Sequence, residues 1–321
     1  MANFDRPRGG QPPLPKPYAF VPFPEERSDL KPAVGHDRYH SHLLTSRIEG
    51  VIVALSPVHV ASGNIELTGR QPSLVKAHFR CQGKPTIPAS SLKGAVRSIV
   101  EAISNPPSCA RITHAPFDRL PQSARPCRDK SKLCLACRLF GAMDYLGRVR
   151  FHDATLSGGD TDIATIPSLH RPRSEAYGTY FSGGRAKGRK FYKHGPADGE
   201  PARGNVPIEV CRRGSQFSLR ADFENLSRDE IGLLLAALGH GEPPLFIKLG
   251  GGKPVCCGSL RIEIHSVTSF PAASLDFDAE SISEDIRALS RGTQLIHRKS
   301  YEELQKTLQF PGEDRPPDRN Y

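Results

Sequence analysis

Three cysteines, Cys127, Cys134 and Cys137, stand at the spacing C-x6-C-x2-C. Soft thiolates a short step apart can clamp one tetrahedral zinc ion, and a fourth ligand would close the shell. Cys109 and His114 lie upstream as candidates for that place, with Cys109 preferred. A shell closed by four protein ligands leaves no position for water, so a zinc held there is structural. The intervening bases Arg125, Arg128, Lys130 and Lys132 argue against burial of this segment in a core. The plain alternatives are unrelated free thiols or a redox-active CxxC pair. Cys256 and Cys257 are adjacent and flanked by Val255 and Gly258, which reads as packing.

A second set of residues could bind anions. In KPTIPASSLKGAVRSIVEAIS the apolar positions Leu92, Ala95, Val96, Ile99, Val100 and Ile103 predict a helix capped by Ser90 or Ser91. Lys93 and Arg97, four apart, could reach a phosphate near its N-terminus, although a solvated helix face has the same pattern. Gly250, Gly251 and Gly252 precede Lys253, a run that lets a backbone approach phosphates closely and that also suits a hairpin loop. It is not a nucleotide-hydrolysing loop, because GxxxxGK[ST] is absent. Between residues 168 and 196, Arg171, Arg173, Arg185, Lys187, Arg189, Lys190 and Lys193 alternate with Tyr177, Tyr180, Phe181, Phe191 and Tyr192. Cations interleaved with aromatic rings are the composition of a single-strand nucleic-acid-binding element.

The elements that must position these residues follow from periodicity. RIEGVIVALSPVHV reads as a buried strand, RVRFHDATL and QFSLRADF as further strands, and LFIKL with SLRIEIHSV as the closing ones. Ser227 to Glu230 forms a capping box ahead of Ile231, Leu234, Leu235 and Leu238, a second core helix. Strand, helix, strand, strand, helix, strand is the order of an α+β ferredoxin-like or RRM fold, whose sheet commonly offers one face to RNA. Residues 61–88 read as a loop and residues 158–215 as a long insertion. The segment 1–45 reads as a flexible arm rich in Pro and His, and 267–321 as a C-terminal extension with two short helices, from Ile282, Ile286, Leu289 and from Tyr301, Leu304, Leu308, before a tail. The chain has 321 residues, 44 Lys and Arg against 34 Asp and Glu, and a formal charge of +10. That excess points to an anionic partner. Neither a membrane-length apolar run nor a secretory signal is evident, so a cytoplasmic location is expected.

Three motifs in this order carry a resemblance. IPASSLKGAVRSIVE, CLACRLFGAMDYLGRVRFHDA and LGGGKPVCCGSLRIEI resemble segments of the RAMP superfamily, the RNA-binding subunits of CRISPR systems. The likeness spans about 46–266 and is nearest to the backbone subunit of type III effector complexes, with the cysteine insertion, 109–140, suiting the III-D and III-E relatives. It implies an RRM-like palm, a thumb over 158–215, and partners in guide RNA, target RNA and other effector subunits. It also implies that Ser90, Ser91, Lys93, Arg97 and Gly250 to Lys253 hold guide phosphates.

Catalysis is where the pattern departs. Active relatives carry an aspartate between the first strand and the SSLKG helix, where it supports metal-dependent RNA cleavage. The loop 61–88 has no Asp; Ser73 falls near that place, and neither it nor Gln71 can supply a carboxylate to magnesium. Glu66 is the only acid nearby and, with a loop histidine as the other option, the candidate for the alternative function, a metal-dependent endoribonuclease that cuts target RNA or processes the guide precursor. A lone carboxylate is poor evidence for a metal site.

Overall fold

A computed structural model describes residues 16–26, 28–110, 119–169, 177–271 and 282–313. The fold is mixed α+β around a curled nine-stranded sheet. At its centre lie β1 (Leu44–Ala54), β2 (Ala154–Gly158), β3 (Gln216–Leu226) and β4 (Ser259–Pro271), in the order β4, β1, β3, β2 with every neighbouring pair antiparallel. Ile262, Ile52 and Phe217 line up across three of these strands, all buried, so the alternation seen in the sequence sets the register. Register shifts at Ile264/Ser266 and Phe223/Leu226 insert bulges that bend the sheet.

Two helices, α1 (Ala89–Ile103) and α2 (Arg228–Leu235), bury their apolar stripes in the core shared with Ile48, Ile52, Phe217 and Leu219. The capping box is present: the Ser227 hydroxyl accepts from the Glu230 N–H and the Glu230 carboxylate accepts from the Ser227 N–H. Glu230 also pairs with Arg148, the largest fully buried side chain, so one carboxylate serves both cap and core. The start of α1 differs from the serine cap expected. Pro88 is the cap residue, and the Asp153 carboxylate accepts the Ala89 N–H at 2.7 Å, leaving both serine side chains unused as caps.

The stretch 61–88 is not a loop. Ala61–Leu67 and Leu74–His78 form a hairpin, Arg80–Cys81 and Lys84–Ile87 a second one. The first hairpin joins Thr161–Ile166 and Val206–Cys211 in a separate four-stranded sheet, through a parallel pairing of Ile208 with Lys76. Glu209 ties the junction, accepting the His78 N–H at 2.9 Å and pairing with Arg80. The exposed Ile65 and Leu67 break the in-and-out alternation by which a strand is read.

The described parts of the arm and of the extension are both packed. Tyr18–Val21 pairs with Arg189–Tyr192, and Lys31 bridges to Leu133. Helix Ile286–Gly292 packs on α2, and helix Arg298–Leu308 packs on α1, burying Tyr301, Leu304 and Leu308. Ile282 lies outside the first of these helices, in a short strand paired to β4. No helix among the described residues is long and apolar enough to cross a membrane.

Candidate metal centre and nucleic-acid interface

The thiols of Cys109, Cys127, Cys134 and Cys137 all lie within 4.8 Å of one another, the one such ligand group among the described residues. Cys109 follows the end of α1, while Cys134 caps and Cys137 sits within the short helix Leu135–Phe140. Four converging sulfurs at this spacing fit a tetrahedral soft ion, so the cluster could hold a metal. His114 lies outside the described residues. Hydrogen bonds from the thiols of Cys109, Cys127 and Cys137 hold the Cys134 thiol well below its ordinary value, so a thiolate is available for coordination.

This cluster is not an exterior knob. Cys109, Cys134 and Cys137 belong to the main core, and Arg125, Arg128 and Lys132 stay exposed along a cleft that reaches Cys109, Cys127 and Cys134. Two guanidinium groups lie beside the thiols. Arg97 donates to Glu101 at 2.7 Å, to the Gly141 carbonyl at 2.9 Å and to the Cys137 sulfur at 3.4 Å. Arg189, only 6% exposed, donates to the Ser108 carbonyl at 2.5 Å and lies over the Phe23 ring. Both were expected on the RNA surface. Both instead point inward, where the i,i+4 pairing of Arg97 with Glu101 was the sequence signal available.

The second site is a pocket of about 490 Å³. The first turns of α1, at Ser90 and Ser91, form one wall; Gly250, Gly251 and Lys253 form another; Lys190, Phe191 and Tyr192 form a third. Among the described residues no acidic side chain lines it. Gly250 is in the left-handed region at φ 89, and a Cβ there would meet the His59 carbonyl at 2.4 Å, so glycine is required for the loop to lie against His59. Gly252, also left-handed, stands behind this wall against Cys257.

Lys248 lines the floor and was missed in the sequence, where it sits inside the apolar run LFIKL. Its ammonium donates to Ser259 Oγ at 3.0 Å, and the same hydroxyl meets His194 Nδ1 at 2.8 Å. Desolvation pushes Lys248 down to about 8 and His194 down to about 3. Lys253 is lowered as well, by burial first and then by the charge of Lys190. Lys190 lies over the rings of Tyr18, Tyr192 and Tyr180 at 4.0, 4.7 and 5.2 Å and donates to the Tyr180 hydroxyl at 2.9 Å. Burial alone would lower this lysine, and the tyrosine hydroxyls raise it above its ordinary value.

The other expected contacts are scattered. Lys93 is half-buried beside Arg97 and Arg150 and does not line the pocket. Arg185 and Lys187 are exposed at a hairpin formed by Phe181–Ser182 and Arg185–Ala186, and Phe181 receives the Arg119 guanidinium at 5.1 Å. Arg171 and Arg173 lie outside the described residues. The open face of the central sheet is knitted by ion pairs at its middle: Asp222 holds Arg47 at 2.7 Å, His152 at 2.6 Å and Arg220 at 3.2 Å. Its cations are matched there, unlike those of the pocket. Glu66 is exposed on a hairpin strand, opposite Val75.

The sequence model of the RAMP superfamily matches residues 51–261. The chain belongs to the RAMP superfamily. That superfamily is associated with CRISPR-related RNA-binding proteins. The matched span runs from β1 to the start of β4 and contains both the cysteine cluster and nearly the whole pocket lining. No curated protein matches the chain.

Proposed function

We propose that this RAMP protein is the guide-RNA-binding backbone subunit of a type III CRISPR ribonucleoprotein and recognises target RNA without a cleavage site of its own. The observation that carries the reading is the pocket in which Lys190, Lys248 and Lys253 converge with the SSLKG helix and the glycine run, with no acid among the described residues that line it. Cations and backbone donors in a groove hold a phosphodiester backbone, and base pairing between guide and target carries sequence recognition. The palm is then a ferredoxin-like one, supported by the sheet order β4, β1, β3, β2 and by the two crossing helices. The thumb is the insertion 158–215, whose exposed Arg185 and Lys187 offer charge to the RNA beside Tyr180 and Phe181. Arg97 and Arg189 are left out of the contact set because both serve the thiol cluster.

Zinc is the proposed occupant of the four cysteines, in a structural role. Its proposed share is to fix the segment 109–140 against α1. Among the described residues the four cysteines are the one group of three or more metal-ligating side chains, so the reading assigns Glu66 no magnesium-dependent step.

The test uses the guide-loaded complex with end-labelled target RNA and Mg²⁺. The proposal expects RNA of defined length to copurify with the chain, and target binding without a cut opposite this subunit. A cut that vanishes in Glu66→Ala would overturn it in favour of the endoribonuclease.

A further inference from the structure

Arg189 is buried without adequate partners. Its Nη2 reaches Ser108, but no hydrogen-bond acceptor among the described residues serves its buried Nε or Nη1. Its electrostatic neighbours are Glu101, Cys109 and Cys134. Arg97 has the same surroundings from the other side, bonded to Glu101 and to the Cys137 sulfur. The Nε and Nη1 of Arg189 are buried with no acceptor among the described residues, and a buried cation without compensation is costly. A divalent ion held by four thiolates carries a net double negative charge, which more than offsets the single positive charge that two buried arginines leave after Glu101.

Arg189 also begins the strand Arg189–Tyr192. Its neighbour in register is Val21, and the next three residues, Lys190, Phe191 and Tyr192, line the anion pocket. Gly188, just before it, is pressed against Val21: a Cβ there would meet the Val21 carbonyl at 2.1 Å. The thiol cluster and the pocket are thus joined through one side chain.

We infer that Arg189 is a positioning residue for the pocket, anchored by the charge of the occupied thiolate centre, so that metal binding holds the paired strands Tyr18–Val21 and Arg189–Tyr192 in place. Arg97 is its partner on the helix side and tethers the centre to α1. The pocket half of this inference rests on the RNA-binding reading; the strand half does not.

Amide hydrogen exchange on the full chain tests it in three samples: metal-loaded protein, protein stripped by a chelator, and metal-loaded Arg189→Met. Stripping should speed exchange at 18–21 and 189–192 by roughly tenfold while β1 and β3 keep their protection. Arg189→Met should speed exchange in the same two segments with metal still bound, and it should lose metal to a chelator about tenfold faster, as expected for an outer partner of a metal centre. If stripping loosens β1 and β3 as well, Arg189→Met decides the question, since its centre remains filled. Unchanged exchange at 18–21 and 189–192 in Arg189→Met overturns the inference. In parallel, a fluorescent single-stranded uridine oligomer should bind Arg189→Met about tenfold more weakly than the unsubstituted chain, a shift of about 1.4 kcal/mol. Failure of the unsubstituted chain to bind the oligomer contradicts the RNA reading and leaves the exchange result standing.

Discussion

The cysteine cluster and the basic pocket lie close together and are built in opposite ways. Three of the four cysteines fall within a dozen residues, and the fourth follows the helix on which they pack. Their chemistry is carried by side chains that do one thing well, so spacing alone announces it. The pocket draws on residues from Val60 to Leu308, and its character comes from what is absent as much as from what is present. Three lysines share it with no carboxylate among the described lining residues, whereas on the neighbouring sheet face Arg47, Arg150 and Arg261 pair with Asp222, Glu224 and Glu263. Local charge counts cannot tell these two surfaces apart, and only the fold does.

The largest effect that could break this contrast is at the cluster. Cys134→Ser should remove the metal and cost on the order of 5 kcal/mol of stability, about a third of what a structural zinc can contribute, read by metal analysis and chemical denaturation. A variant with undiminished stability would mean that the thiols are ordinary core residues. Next is the pocket floor. His194 is held near 3 in the folded protein against about 6.5 when unfolded, so the unfolded chain binds the extra proton in between. Stability is therefore full above about 6.5 and falls as the pH is lowered toward 4, by up to about 3 kcal/mol from this group. Denaturation of His194→Gln across that range should show a flatter decline.

Charge reversal in the pocket comes third. Lys190→Glu with Lys253→Glu should weaken single-stranded RNA binding by about a hundredfold, or about 2.7 kcal/mol, whereas reversing Arg220 on the paired sheet face should change it by less than about twofold. The smallest effect belongs to Lys248. Its folded value of about 8 means that free protein loses this charge as pH rises above that point, while bound phosphate favours the protonated form. RNA affinity should then fall by up to about tenfold from pH 8 to 9, and Lys248→Arg should abolish the fall.

Much of the frame was legible. The mixed α+β character, the capping box at Ser227 and the cysteine cluster can be read from periodicity and spacing, because each rests on neighbours in sequence. The hairpin at 61–78 was not, since its edge strand exposes Leu67 at 81% and shows no buried alternation. The direction of Arg97 and Arg189 was also hidden. A basic residue in an aromatic-rich segment looks like a nucleic-acid contact until the fold places four thiols beside it. Lys248 reads as an interruption in a strand, and its position under the glycine run depends on the pairing of Ile247–Lys248 with β4.

The central claim is that the excess positive charge of this RAMP protein is spent on an RNA backbone at one pocket. The most direct measurement is the affinity of the metal-loaded chain for single-stranded RNA as a function of salt. The account predicts that log affinity falls linearly with log salt by about 0.7 per phosphate neutralised, and that Lys190→Glu with Lys253→Glu lowers that slope by about 1.4. A flat salt response, or a slope untouched by the double substitution, would contradict it.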